Sequence, residues 1–85
     1  MTYSYTTHGT CSRKIDIEIA DDGETILNVA FTGGCNGNLK GLGALVKGAK
    51  IDDTIERLEG IKCGFKSTSC PDQLAMALKE IKESI

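Results

Sequence analysis

Residues 15–31 read IDIEIADDGETILNVAF, and this stretch decides the fold. Apolar and charged residues alternate strictly over its first five positions, which is typical of a strand with one buried face. The second half alternates again, with apolar residues at three odd positions: Leu27, Val29 and Phe31. Because the Asp22-Gly23 pair between the two runs is a hairpin signal, the stretch predicts two antiparallel strands joined by a short turn.

The register of this hairpin follows from the same pattern. If the odd-numbered apolar residues share the buried face, paired residue numbers have an even sum, and a turn centred on Gly23 sets that sum at 46. The predicted pairs are Ile19 with Leu27, Ile17 with Val29, and Ile15 with Phe31. Continued to the open end, the ladder places Cys11 opposite Cys35, unless a bulge at Gly33-Gly34 shifts it by one residue. Opposed Cβ atoms lie about 4.5–5.5 Å apart, close enough for two sulfurs to share a metal or a disulfide.

The remaining elements are a first strand and three helices. A Tyr- and Thr-rich segment predicts the strand over Thr2–Thr7, which turns back near His8. Apolar periodicity predicts helices over Asn38–Lys47 and Asp53–Glu59, and a third from Cys70 onward. Three strands followed by three helices (βββααα) predict an α+β domain over residues 1–85, with helices packed on one face of an antiparallel sheet.

Each helix has predicted ends and a predicted buried face. Asn36 or Asn38 is the expected cap of the first helix, and its apolar face comprises Leu39, Leu42, Leu45 and Val46. Small residues collect on the opposite side, where they favour close packing and a homodimer contact: Gly37, Gly41, Ala44 and Gly48. The second helix has a capping-box spacing at Asp53 and Glu56 and a stop at Gly60. The third turns three residues inward: Leu74, Leu78 and Ile81.

Composition narrows the class of protein. The chain has 85 residues, of which 40% are hydrophobic, and such a short chain buries only about 60–65% of its unfolded surface, so its core is thin. A formal charge of −2 argues against direct binding to nucleic acid. No apolar run approaches the roughly 20 residues of a membrane span, and the N-terminus lacks the features of a secretion signal. We therefore expect a cytoplasmic protein whose thiols stay reduced.

The four cysteines are the candidate site. Cys63 and Cys70 flank a short loop, and Cys70 stands before Pro71 at the predicted start of the third helix, where the helix dipole favours a thiolate. Together with the predicted Cys11/Cys35 pair, they suggest a tetrahedral four-sulfur site, with zinc as the expected metal. The chain has no C-x-x-C knuckle, the commonest spacing signal of such sites.

Two other interpretations of the cysteines stay open. In the first, Cys70 attacks and Cys63 resolves in a thiol–disulfide exchange. In the second, the cysteines are buried or incidental and carry no chemistry. With a single histidine, His8, in a predicted turn, no catalytic triad can be assembled, so no catalytic residue is assigned outside the redox alternative.

The glycine-rich run GGCNGN at residues 33–38 suggests a possible anion or nucleotide loop. A glycine-rich turn that enters a helix offers unshared N–H groups to a phosphate, and five residues would form it: Gly33, Gly34, Asn36, Gly37 and Asn38. The chain contains neither complete phosphate-loop motif. The simpler interpretation is that these glycines let the backbone pass closely around Cys35.

Four motifs resemble the TSCPD-domain family, and each contains one cysteine. They are T-S-C-P-D at Thr68–Asp72, G-T-C at Gly9–Cys11, G-G-C-N-G-N at Gly33–Asn38, and L-E-G-I-K-C-G at Leu58–Gly64. Similar domains stand at the C-terminal end of adenosylcobalamin-dependent ribonucleotide reductases. The resemblance implies a metal-binding accessory module with a protein partner, such as a ribonucleotide reductase. Because 85 residues cannot house a complete reductase, we expect the chain to act on such an enzyme and not as one.

Overall fold

The fold is a three-stranded antiparallel sheet followed by three helices, as the sequence predicts. The computed structural model describes residues 1–10, 12–34 and 36–84. The strands are β1 (Thr2–Thr6), β2 (Ser12–Ile19) and β3 (Ile26–Gly33), in the spatial order β1-β2-β3. The helices are α1 (Asn36–Val46), α2 (Ile51–Leu58) and α3 (Cys70–Ser84).

One apolar core joins the buried face of the sheet to the helices. Three consecutive odd residues of β2 are almost completely buried, as their alternation predicts: Ile15, Ile17 and Ile19. From α3, the three residues predicted to turn inward are also buried: Leu74, Leu78 and Ile81. Val46, Ile51 and Ile55 complete the contact from α1 and α2. Branched aliphatic side chains therefore hold the two layers together.

The predicted register is correct in the middle of the hairpin and wrong at its closed end. Ile15 pairs with Phe31 and Ile17 with Val29, but Ile19 pairs with Ile26 and not with Leu27. The turn is one residue shorter than predicted. The Ala20 N–H donates to the Thr25 carbonyl, whereas the predicted register places Ala20 opposite Ile26. Leu27 becomes the extra residue of a β-bulge and is exposed, which is why Ile26 takes the buried position.

A second bulge lies at the open end of the same hairpin. Lys14 pairs with Thr32, but the next described pair is Ser12 with Gly33, so Arg13 is the extra residue. The predicted ladder therefore breaks before it reaches the two cysteines. Cys11 and Cys35 themselves lie outside the described residues, and their predicted pairing stays a prediction.

α1 packs against β3 through a glycine that the sequence analysis did not single out. A Cβ on Gly43 would lie 2.7 Å from the Val29 carbonyl oxygen, so only glycine allows this approach. The helix begins at Asn36, which leaves Asn38 inside it and not at its cap. Of the predicted apolar face, Leu39 and Val46 are buried as expected, but Leu45 is 83% exposed.

The three glycines of the predicted small-residue stripe have open space where a side chain would lie. Cβ atoms built on Gly37, Gly41 or Gly48 would meet nothing within 4 Å. Gly48 nevertheless approaches β3, because its N–H donates to the Ile26 carbonyl at 2.7 Å, whereas within the described part of the chain Gly37 and Gly41 have no neighbour on this side. The homodimer contact through this stripe, which includes Ala44, stays a prediction.

α2 starts two residues earlier than predicted, and no capping box starts it. Its first residue, Ile51, donates its backbone N–H to the Glu24 carbonyl at 2.8 Å, and Lys50 at the cap position makes no side-chain capping bond. Main-chain contact with the hairpin turn replaces the predicted Asp53 cap. Gly60 has a φ of +83°, as expected for the glycine that stops the helix.

Candidate functional site

The Ser12 hydroxyl lies beside the Cys70 thiol, with 3.1 Å between oxygen and sulfur. Ser12 is an even-numbered residue of β2, and its even neighbours Lys14 and Glu18 are exposed on the other face of the sheet. The Arg13 bulge reverses the alternation and turns Ser12 to the buried side, where it is only 3% exposed. A local irregularity of β2 thus brings the start of this strand to the start of α3.

Polar contacts from the β1–β2 connection surround this pair. The Thr7 hydroxyl donates to the Ser12 carbonyl, and the Thr10 hydroxyl lies 3.1 Å from that of Ser12. Every buried side-chain oxygen and nitrogen of the described residues has a hydrogen-bond partner. The result is a small buried polar cluster at one end of an otherwise apolar core, and such clusters fix a unique geometry when they are fully satisfied.

The start of α3 is held by its own side chains. Ser69 is the N-cap, because its hydroxyl oxygen accepts a hydrogen bond from the Asp72 N–H at 3.1 Å. The same hydroxyl donates to the Ile61 carbonyl at 2.6 Å, which fixes the incoming loop. The Asp72 carboxylate accepts bonds from the Gly60 N–H and the Thr68 hydroxyl. These contacts tie the first turn of α3 to the end of α2.

Gln73 links α3 to the connection between β1 and β2. Its side-chain oxygen accepts a hydrogen bond from the His8 N–H at 3.0 Å, and its Nε2 donates to the Thr68 hydroxyl, also at 3.0 Å. The residue is only 3% exposed. Gly9 packs against Thr68 as well, since a Cβ on that glycine would lie 3.1 Å from the Thr68 methyl. The segment before Cys11 and the segment before Cys70 therefore lie against each other.

Cys63 and Cys70 differ in their exposure. Cys70 is the first residue of α3, as the sequence predicts, and its side chain is buried. Cys63 is exposed, and its backbone is fixed by the bond from its N–H to the Thr68 carbonyl at 3.2 Å. The loop between the two cysteines is thus closed by this main-chain hydrogen bond and leads directly into α3.

The glycine-rich segment reaches the same end of the molecule. A Cβ on Gly34 would lie 3.2 Å from the Ser12 backbone nitrogen, so the residue before Cys35 contacts the residue after Cys11. Gly33 and Gly34 both have positive φ, which only glycine adopts easily, and α1 begins two residues later at Asn36. We call this end of the molecule, where Ser12, Gly34, Cys63 and Cys70 lie, the cysteine end.

Comparison with known families adds one finding. The family model described as the TSCPD domain matches residues 1–82. The chain belongs to the TSCPD-domain family. No curated protein and no solved structure showed a match to this chain. Nor does any helix in the described residues have the length and apolarity to cross a membrane.

Four residues of the T-S-C-P-D motif have identifiable structural roles in this TSCPD domain. Thr68, Ser69 and Asp72 supply the hydrogen bonds that start α3, and Cys70 presents its sulfur to the buried polar cluster. Within residues 1–10, 12–34 and 36–84, no group of three or more His, Cys, Asp or Glu side chains could hold a metal ion. The predicted four-cysteine site is not tested by that observation, because Cys11 and Cys35 lie outside the described residues.

Two residues of this TSCPD domain's site were missed by the sequence analysis. Gln73 carries no sequence signal for its buried amide, and Ser12 reaches Cys70 only because of a bulge that the alternation does not predict. The Ser69 cap could have been found, since Ser69 and Asp72 have capping-box spacing.

Of the predicted anion loop, Gly33 and Gly34 stand before α1, while Gly37 and Asn38 are exposed in its first turn, and anion binding there stays a prediction.

Proposed function

We propose that this TSCPD domain is a small accessory module in which Cys11, Cys35, Cys63 and Cys70 hold one structural zinc ion. The observation that supports it is the convergence of the cysteine-bearing segments. Ser12 follows Cys11 in the chain and contacts Cys70, and Gly34 precedes Cys35 and contacts Ser12. Cys63 is attached to the same place through its backbone bond to Thr68.

The chemistry of the described groups suits thiolate ligands. Cys70 lies at a helix N-terminus, where the dipole favours negative charge, and the Ser12 hydroxyl can donate a hydrogen bond to its sulfur. Zinc with four thiolates is the usual tetrahedral structural site. Three hydroxyl groups, those of Thr7, Thr10 and Ser12, lie together at this end, and polar burial gives less net free energy than apolar burial, so a metal would add stability there.

The proposed role is accessory, with a protein partner and no catalysis by this chain alone. The family resemblance suggests a ribonucleotide reductase as that partner. A structural zinc ion would hold the loops of the cysteine end in one arrangement, and a fixed surface loses less entropy when it binds. The domain would then act by contact with the larger enzyme.

Metal analysis of protein purified under reducing conditions tests the zinc site. We expect one zinc per chain, and a chelator should lower the melting temperature by more than about 10 °C, because structural zinc contributes several kcal/mol. Cys63→Ser should also reduce zinc content and stability, although its exposed thiol makes little packing contact. The matched control is Ser67→Ala in the same exposed loop, which should change neither.

A metal-free protein would contradict this proposal. The decisive result is the absence of stoichiometric metal together with a melting temperature that the chelator does not change. A Cys63→Ser variant as stable as Ser67→Ala would point the same way.

A thiol–disulfide carrier is the second candidate, favoured by the position of Cys70 at the N-terminus of α3 and by the short loop that joins it to Cys63. The Cys70 thiolate would attack a disulfide of the partner and form a mixed disulfide, releasing one partner thiolate. The Cys63 thiolate would then displace the second partner sulfur, leaving a Cys63–Cys70 disulfide here and a dithiol on the partner. Cys63→Ser should trap the mixed disulfide. If Cys63 and Cys70 react no faster than free cysteine, this candidate fails.

A further inference from the structure

The loop between Cys63 and Cys70 presents a fully exposed aromatic side chain, Phe65. A β-turn holds it in place, because the Lys66 N–H donates to the Cys63 carbonyl at 3.0 Å and Gly64 has a φ of +58°. The turn is itself attached to Thr68 through the Cys63 N–H. Phe65 therefore lies in a hydrogen-bonded turn and not in a loop without internal hydrogen bonds.

Lys62 and Lys66 place positive charge in and beside this turn. Residues 1–15, 25–51 and 60–71 contain every cysteine and no Asp or Glu. Arg13, Lys62 and Lys66 are exposed, and no carboxylate of the described residues lies within 4 Å of their charged nitrogens. The Asp72 carboxylate at the base of the loop accepts hydrogen bonds from the Gly60 N–H and the Thr68 hydroxyl and makes no ion pair with these three cations.

The opposite end of the molecule is acidic. Asp22 and Glu24 lie in the hairpin turn, and α2 begins beside them with Asp52 and Asp53. The end of α3 meets the same place through the ion pair of Lys82 with Asp52 at 2.6 Å. β2 runs from one end to the other over eight residues, or about 26 Å. Charge is thus segregated along a molecule 37 Å long, although the net charge is only −2.

We propose that the Phe65 turn and its cations form a docking surface for an acidic segment of a protein partner, with Phe65 entering an apolar pocket there. This inference rests on the protein-interaction part of the proposed function. Aromatic residues in desolvated pockets carry much of the binding free energy of interfaces, and complementary charge at the rim steers association. A turn that already holds Phe65 outward loses little conformational freedom on binding.

Photo-crosslinking in cells tests the docking surface with the full chain at its native level. A benzoylphenylalanine in place of Phe65 should give an adduct with another protein, and mass spectrometry should locate the link in a segment rich in Asp and Glu. The same probe in place of Leu45, an apolar residue of α1 that is 83% exposed, should give none. Combined Lys62→Glu and Lys66→Glu substitutions should reduce the adduct at least tenfold. Lys47→Glu, an exposed lysine beyond the end of α1, should not.

Each other result overturns the inference. No adduct, equal adducts from positions 65 and 45, a link to a second copy of this chain, or a link to nucleic acid would each do so. Zinc content of the charge-reversed variant separates two roles of the lysines. If that variant loses zinc, the cations serve the thiolates and not a partner. An acidic partner that is not a ribonucleotide reductase would leave the docking surface intact and would refute only the proposed partner.

Discussion

At the scale of single residues, Ser12 shows how one bulge changes the chemistry of a strand. Without Arg13 as the extra residue, Ser12 would share the exposed face of Lys14 and Glu18. With it, the hydroxyl lies against Cys70 and the backbone carbonyl accepts a bond from Thr7. The residue that follows Cys11 is therefore fixed by contacts from two elements.

Ser12→Ala should lower the free energy of unfolding by about 1 kcal/mol, the usual net value of a buried neutral hydrogen bond. Urea denaturation under reducing conditions measures it. Ser4→Ala is the matched control, because its hydroxyl also makes a side-chain bond, to Asp16, but on the exposed face. A Ser12→Ala variant as stable as the unchanged protein would show that the contacts of this hydroxyl contribute nothing.

Asp22 is the residue with the clearest pH signature. Backbone N–H groups of Glu24 and Thr25 and the Thr25 hydroxyl donate to its carboxylate, and these bonds lower its pKa from 3.8 to about 2. Since the folded-state pKa is the lower one, the stabilisation is present above about pH 4 and is lost as the pH falls through about 2. NMR titration of the Asp22 carboxyl carbon should give a midpoint near 2. A midpoint near 3.8 would contradict these contacts.

At the scale of elements, α1 is placed by one close approach to β3. Gly43 lies on the Val29 carbonyl, whereas Gly41, two residues earlier in the same helix, faces open space. Helix propensity favours Ala over Gly by about 1 kcal/mol at both positions. The two glycines therefore separate helix propensity from packing.

Gly41→Ala should stabilise the protein by about 0.5–1 kcal/mol, because the added methyl meets nothing. Gly43→Ala should destabilise it by about 1–3 kcal/mol, since helix and strand must separate to accept the methyl. Chemical denaturation of the pair measures both. If Gly43→Ala were as stable as Gly41→Ala, α1 would not pack on β3 at this residue.

The elements themselves could be predicted from sequence, while the contacts of the site could not. Strict alternation and the Asp22-Gly23 turn were enough for the hairpin, and apolar spacing was enough for α3. The bulges at Leu27 and Arg13 come from the way the turn and the strand ends close, and alternation carries no information about that closure. The choice of Gly43 over Gly41 depends on the position of a neighbouring carbonyl, which helical periodicity does not contain.

At the scale of the whole molecule, stability is unevenly distributed. Apolar burial is concentrated in the middle of the sheet and around Ile26, Ile51 and Ile81, towards the acidic end. Among the described residues, four of the five buried polar ones lie at the cysteine end: Thr7, Ser12, Ser69 and Gln73. Because polar burial gives little net free energy, the proposed zinc ion would stabilise one end much more than the other.

Hydrogen exchange with and without chelator should show this asymmetry. On removal of zinc, the amides of His8 and Cys63, which are bonded to Gln73 and Thr68, should exchange at least tenfold faster. The Ile26 amide, bonded to the Ala49 carbonyl at the acidic end, should keep its protection, since the apolar core holds it. Equal loss of protection at both ends would mean that zinc stabilises the fold as a single cooperative unit. No loss at either end would mean that the cysteine end keeps its structure without metal.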